Sequence, residues 1–272
     1  MNITIFGTCR LDSLHKYNNK IKNEISYTYD TKEILEVIKF IKYDHVTPED
    51  TLTTFRTPMI TKTPIYQKDF SGIFEKTNIF IIEICGRKTY KYNKLFVHSA
   101  LPNFSNNLVS QQIIVNKQSD DEISKDIASI ITELNTTNII IVSHIVTDNN
   151  SDRYKLSKLL EEICVKHDMI FINPAVETLK IGHDINDLVN HGEKNIYHYN
   201  NKGHIIMEKI YNKYINILLD KLKITHTSLI LSYAFTLLQI FILFHHWKNP
   251  MVKSMHILLI PYLSNIIIVF VI

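Results

Sequence analysis

Ile3-Thr4-Ile5-Phe6-Gly7-Thr8-Cys9-Arg10 is an apolar, β-branched run that meets one glycine and then turns polar. A run this short and this apolar reads as a strand buried on both faces, as in parallel sheets. Open α/β folds place their ligands at the carboxyl ends of such strands. Gly7 is expected to supply backbone freedom for a tight turn, with Thr8, Cys9 and Arg10 projecting from the sheet edge. Cys9 then has two readings: a small core residue behind the first strand, or a side chain presented to a cleft.

Working outward, the strand-then-glycine design recurs at residues 78–85, which are followed by Gly86-Arg87-Lys88. Two more apolar runs, 138–142 and 169–172, close on Ser143-His144 and Asn173-Pro174. Helical spacing lies between them. It is carried by Ile34, Val37, Ile38 and Ile41 in 31–43, and by Ile123, Ile127, Ile130 and Leu134 in 120–134. Leu156, Leu160 and Ile163 carry it in 152–167, and Ile206, Ile210, Tyr214 and Leu218 in 203–222. Residues 12–29 are polar with weak periodicity, and the Thr- and Pro-rich 45–64 reads as a long loop. Strands alternating with helices give a three-layer α/β/α domain over 1–225, with a mostly parallel, flavodoxin-like sheet. C-terminal apolar helices are expected to follow in 226–272.

The 272-residue chain is 45% hydrophobic and 21% charged, with a formal net charge of +3. So small an excess, with no basic stripe among aromatics, makes no case for nucleic acid. Three widely spaced cysteines without a Cys-x-x-Cys pair suggest neither a disulfide framework nor a structural zinc site, and Cys85 and Cys164 read as structural. No cofactor is called for. The N-terminus enters a strand at once, so no secretory signal is expected and a reducing compartment is. Only 6 glycines beside abundant Ile, Asn, Lys and Tyr fit an AT-rich genome, such as those of some large DNA viruses.

A second anchor is Asn195-Ile196-Tyr197-His198-Tyr199-Asn200-Asn201-Lys202-Gly203. A histidine on a loop, with a helix-opening glycine five residues later, can be held in place by that helix. Paired with Gly7-Thr8-Cys9 after the first strand, this block resembles the SGNH (GDSL-type) hydrolase superfamily. There the first block reads Gly-Asp-Ser, and the last reads Asp-x-x-His with a glycine five after the histidine. The resemblance runs over about residues 1–222 in block order and spacing.

The resemblance implies Cys9 as nucleophile in place of serine, His198 as base, and Asn195 in place of the orienting aspartate. A thiol suits the role, since its thiolate is a good nucleophile and an adjacent imidazole can lower its pKa. Gly86-Arg87-Lys88-Thr89 stands where the family has Gly-x-Asn-Asp, which puts Lys88 at the oxyanion-binding position. There it would stabilise an oxyanion or grip an anionic substrate, unless Arg87 and Lys88 only solvate a loop. The backbone N–H groups of Cys9 and Gly86 would be the other oxyanion donors, with Gly7, Thr8 and Arg10 lining the site. Arg10 and Arg56 are candidate substrate clamps.

Ser143-His144 either lines the same cleft or starts a hydrogen-bonded loop. Glu83, inside a buried run, needs a partner, with Arg87 and Lys88 close in sequence. His183, Asp184, Asp187 and His191 have the composition of a metal cluster but no firm secondary structure, and no metal is expected.

Residues 228–244 and 257–272 are uncharged and apolar, joined by His245-His246-Trp247-Lys248-Asn249-Pro250. Each is slightly short of the roughly 20 residues of a spanning helix. They read as a membrane hairpin or anchor, or else as core or oligomer-interface helices. The expectation is a membrane-associated enzyme with its α/β domain on the cytoplasmic side. It would be an esterase or acyltransferase acting on a small-molecule or glycan ester through an acyl-Cys9 intermediate. The alternative is an inactive SGNH-like fold serving as a membrane-associated scaffold.

Overall fold

The structure, a computed structural model, describes residues 2–11, 14, 21–104, 107–146, 148–190 and 198–247. The chain divides into two compact units, Met1–Leu218 and Leu219–Ile272. The first is built on a five-stranded sheet of β1 (Ile3–Gly7), β2 (Ile21–Tyr27), β3 (Ile79–Ile84), β7 (Ile139–Ser143) and β8 (Ile170–Ile172). Its order is β2-β1-β3-β7-β8 and every pairing is parallel. Strand order therefore reverses at β1, with β2 on one side and β3 on the other. The crevice at the carboxyl ends of β1 and β3 is where such a sheet holds a ligand.

One face of the sheet presents Phe6, Ile25, Phe80, Ile82, Ile84, Ile139 and Ile141 to a core shared with three helices. These are α1 (Thr31–Tyr43), α4 (Asp120–Leu134) and α5 (Asp152–Lys166). The opposite pleat, with Ile5, Ile81, Ile140 and Val142, is as deeply buried, as are Met207, Ile210 and Tyr211. Those three lie on the last helix, α7 (Asn201–Trp247), which follows α6 (Pro174–Lys180) and whose residues up to Leu218 belong to this unit. Burying a side chain of this size is worth about 1.5–3 kcal/mol, so a one-residue slip of β1 would forfeit several such terms at once.

Two smaller sheets complete the unit. One is antiparallel, with β4 (Lys88–Tyr92) between β5 (Leu95–Val97) and β6 (Ile114–Lys117). In the other, β9 (Val189–Asn190) pairs antiparallel with β10 (His198–Tyr199).

The expected elements at 31–43, 78–85, 120–134, 138–142, 152–167 and 169–172 are present to within a residue or two. Residues 21–27, where weak helical spacing at best is expected, form edge strand β2. The expected loop at 45–64 instead contains α2 (Pro48–Thr54) and α3 (Arg56–Thr61). Thr47 caps α2 by accepting from Asp50 N–H, and Pro48 occupies its first turn.

In the second unit, α7 continues to Trp247 and exposes Ile230, Leu231, Leu237, Leu238 and Phe241. Among the described residues no helix is long and apolar enough to cross a membrane, so the spanning role expected of 228–244 is not supported. The stretch 257–272 lies outside the described residues.

Helix α1 begins with a buried acid. Asp30 Oδ1 accepts from Lys32 N–H at 2.8 Å and Glu33 N–H at 3.1 Å. Burial, with Asp126 nearby, pushes its carboxyl up to about 7. A folded pKa above the unfolded one makes Asp30's contribution largest below about 4 and lost as pH rises through about 7. His98 has the opposite sign: burial holds it down at about 3, so its contribution is present above 6.5 and lost in acid. The two oppose each other in whole-protein profiles, so the readout is wild type against Asp30→Asn, which keeps a capping oxygen. The stability advantage of wild type over Asp30→Asn in urea unfolding is expected to shrink by roughly 1 kcal/mol per unit from pH 4 to 7. A difference that stays flat, or grows with pH, contradicts it.

Candidate active site

The turn after β1 is fixed from beneath by a carboxylate. β1 and β3 pair in register with Phe6 beside Ile82, which brings the next residues, Gly7 and Glu83, together. Glu83 Oε2 accepts from the Thr8 backbone N–H at 3.0 Å and from the Thr8 hydroxyl at 2.6 Å. Glu83 Oε1 accepts from Arg10 Nε at 2.6 Å, and an Arg10 terminal nitrogen lies 3.1 Å from Cys85 Sγ. Glu83 and Arg10 are only 2% and 4% exposed. Thr8 and Arg10 thus point inward on either side of Cys9, and Cys9 is left half-buried at the edge. Arg10, expected to clamp substrate, spends its guanidinium in the interior. Glu83's partner is Arg10 rather than Arg87 or Lys88.

Gly7 is needed for space and not for an unusual φ, since among the described residues the glycines with positive φ are Gly72 and Gly182. A Cβ at Gly7 would sit 2.6 Å from Leu11 Cδ1 and 2.9 Å from Glu83 Cβ. The chain leaving β2 crosses the end of β1: Thr28 N–H donates to Gly7 O, and Tyr29 O accepts from Cys85 N–H. The Tyr29 ring lies so close to Gly86 that a Cβ there would be 2.7 Å from it.

The histidine arrives from the other end of the chain. His198 and Tyr199 form β10 against β9, and Asn200 N–H donates to Leu188 O at 3.0 Å. The Asn200 side chain accepts from Gly203 N–H and donates to Asp187 O, so it ties the start of α7 to the β9 side. Gly203 permits this, because a Cβ there would lie 2.1 Å from Leu188 O. Tyr199 is buried, hydrogen-bonded to Tyr211 of α7 and close enough to Glu83 and Arg10 to feel their charges. Helix, hairpin and β1 turn therefore share one polar core beneath the edge.

That scaffold brings Cys9 Sγ to 3.3 Å from His198 Nδ1, within hydrogen-bond reach for sulfur. Partial burial first, and then the charge of Arg10, lowers the His198 pKa. A neutral imidazole beside a thiol can accept its proton and leave a thiolate.

No protein-family model matches the sequence, and no curated protein sequence matches it. Solved structures that this chain is similar to include a lipase/acylhydrolase from Enterococcus faecalis. It has a TM-score of 0.44 and 9% identity, over 79% of this chain and 95% of that one. A GDSL-like lipase from Bacteroides thetaiotaomicron gives 0.39 and 11%, over 79% and 87%. A variant of an acetyl-xylooligosaccharide esterase from Geobacillus gives 0.39 and 12%, over 79% and 93%.

The remaining candidates are placed as follows. Asn195 lies outside the described residues. Ser143 and His144 are buried at the end of β7, and His144 Nδ1 donates to Ile145 O at 2.9 Å. Burial, with the charge of Arg10 next, holds the His144 pKa well down, so it sits neutral behind the edge. Lys88 opens β4 and is exposed, while Arg87 pairs with Asp120. Arg56 stacks its guanidinium over the Tyr27 ring at 4.5 Å. Asp184 caps the turn Ile185–Leu188, and among the described residues no cluster of three or more metal-ligating side chains occurs; His191 lies outside them. The sequence reading missed the tyrosine pair Tyr199–Tyr211 and the cation Arg153. An aromatic on a helical core stripe and an arginine in a first helical turn carry no signal of their own.

Proposed function

We propose that the chain is an SGNH-like ester hydrolase working through an acyl-Cys9 intermediate, with His198 as the proton carrier. The observation that supports this most is the 3.3 Å contact between Cys9 Sγ and His198 Nδ1, made between residues 189 positions apart. His198 takes the thiol proton, and the thiolate adds to the ester carbonyl. The backbone N–H groups of Cys9 and Gly86 are the proposed donors to the oxyanion. Collapse breaks the C–O bond, and His198 returns its proton to the departing alkoxide. Water then attacks the thioester, giving up its proton to His198, and the acid leaves as the Cys9 thiol is restored. A sugar hydroxyl in place of that water would turn hydrolysis into acyl transfer. Asn195 is assigned to orient the imidazole.

Incubation with an activated acetyl ester should add one acetyl group to Cys9, seen by mass spectrometry of the intact chain and its peptides. Cys9→Ala should abolish both the adduct and ester turnover. Turnover that survives in Cys9→Ala would end this reading.

The proposal includes tethering at a membrane surface through 228–244 and 257–272, with the α/β domain on the cytoplasmic side. The exposed side chains of Ile230, Leu231, Leu237 and Leu238 support it. The full chain should float with liposomes, and Leu231→Glu with Leu238→Glu should reduce that. Flotation equal in both, or absent in wild type, counts against the tether.

A further inference from the structure

A cleft of about 260 Å³ opens at the carboxyl edge of the sheet, lined by Cys85 and Gly86 just past the end of β3. Its lining includes Arg87 from the β3–β4 turn, Lys88 from β4, Lys117 from the end of β6, and Arg153 from the first turn of α5. Three stretches that are distant in sequence, 87–88, 117 and 153, thus bring four cations to one small volume. Asp152 is the carboxylate in that lining, and it pairs with Lys117 at 2.6 Å.

Against these four cations the lining sets one carboxylate, Asp152. The carboxylates that meet Lys117 and Arg87 are Asp152 and Asp120, 63% and 67% exposed, and pairs to such groups are worth little in water. Arg87 itself is held close, with only 11% of its side chain exposed. The amino end of α5, a helix of 15 residues, adds its own positive potential at Arg153. The cleft adjoins the proposed Cys9 site through two of its lining residues: Gly86, whose N–H is a proposed oxyanion donor, and Cys85, whose sulfur lies 3.1 Å from an Arg10 terminal nitrogen. A volume of this size suits one charged group and a few attached atoms rather than a whole lipid.

We propose that this cleft binds the anionic group, a phosphate or a carboxylate, of the molecule whose ester is cleaved at Cys9. The inference rests on the acyl-Cys9 reading and narrows its substrate class to acidic small molecules or acidic sugars, excluding neutral lipids and neutral glycans.

The test is calorimetric titration of the full chain with inorganic phosphate, and separately with malonate, at fixed ionic strength. Lys88→Gln and Arg153→Gln should each weaken binding at least tenfold. Asp152→Asn, which removes the lining carboxylate at an exposed position, should tighten it severalfold, an effect that misfolding cannot imitate. Stronger binding of phosphate than of malonate assigns a phosphate-bearing substrate, and the reverse assigns a carboxylate. Wild-type protein that forms the Cys9 adduct but binds neither anion overturns the cleft proposal alone, as does binding that Asp152→Asn weakens or leaves unchanged. Cys9→Ala should bind phosphate as wild type does. If the anion binds there while wild type forms no acyl adduct, the cleft stands and the chemistry at Cys9 falls.

Discussion

Replacing His198 with alanine is expected to lower ester turnover by about 10²–10⁴-fold at pH 7, the range typical of a lost general acid–base group. The same change should cost far less in alkylation by a small electrophile such as iodoacetamide. A free thiol with a pKa of about 8.5 is already a few per cent thiolate at neutral pH, and alkylation needs no proton returned to a leaving group. The two assays therefore separate thiol activation from leaving-group protonation. Their pH profiles separate further. In wild type the His198 imidazole is held below the ordinary histidine range by partial burial and by Arg10. A depressed pKa keeps the base form populated in mild acid, so wild-type turnover should persist below pH 6.5. In His198→Ala the residual reactivity should rise only toward the free-thiol range. Identical profiles for the two proteins would mean that the 3.3 Å contact is packing and not proton transfer. The chain would then be the scaffold of the alternative reading.

The strands that carry the site were legible because each is mostly apolar and buried on both faces: Ile3–Gly7, Ile79–Ile84 and Ile139–Ser143 have no exposed position to mimic a helix period. Strand β2 was not, since Ile-Lys-Asn-Glu-Ile-Ser-Tyr contains no continuous apolar run to signal a buried strand. Helix α2 carried a readable signal, a threonine cap followed by proline and two acids, obscured by the threonine-rich run around it. In the sequence Cys9 and His198 are paired only through the resemblance of their two blocks to the SGNH pattern, and the folded chain sets them 3.3 Å apart. The partner of Glu83 could not be read from the sequence. Sequence proximity favours Arg87 and Lys88, whereas the β1–β3 register puts Arg10, 73 positions away, on the same carboxylate. The basic cleft is of the same kind, since its cations come from separate segments whose meeting only the folded chain displays.

Glu83→Ala is expected to destabilise the fold by about 3–5 kcal/mol, the usual cost of leaving one member of a buried ion pair alone. Arg10 would keep its charge in a site 4% exposed, and the Thr8 N–H and hydroxyl would lose their shared acceptor. Two roles are folded into that number, and a second variant separates them. Glu83→Leu combined with Arg10→Met removes both charges and restores apolar volume, which often recovers the stability of a buried pair. It does not restore an acceptor for Thr8, and the Cys9 turn hangs from that acceptor. The double variant should therefore regain most of the wild-type urea midpoint while its Cys9 alkylation loses the dependence on His198. If Glu83→Ala unfolds within about 0.5 kcal/mol of wild type, a margin usual for surface substitutions, the carboxylate is not the anchor described. If the double variant recovers stability and His198-dependent alkylation together, then Glu83 only balances Arg10. The position of Cys9 would then come from the close packing of Gly7 against Leu11 and the turn that follows.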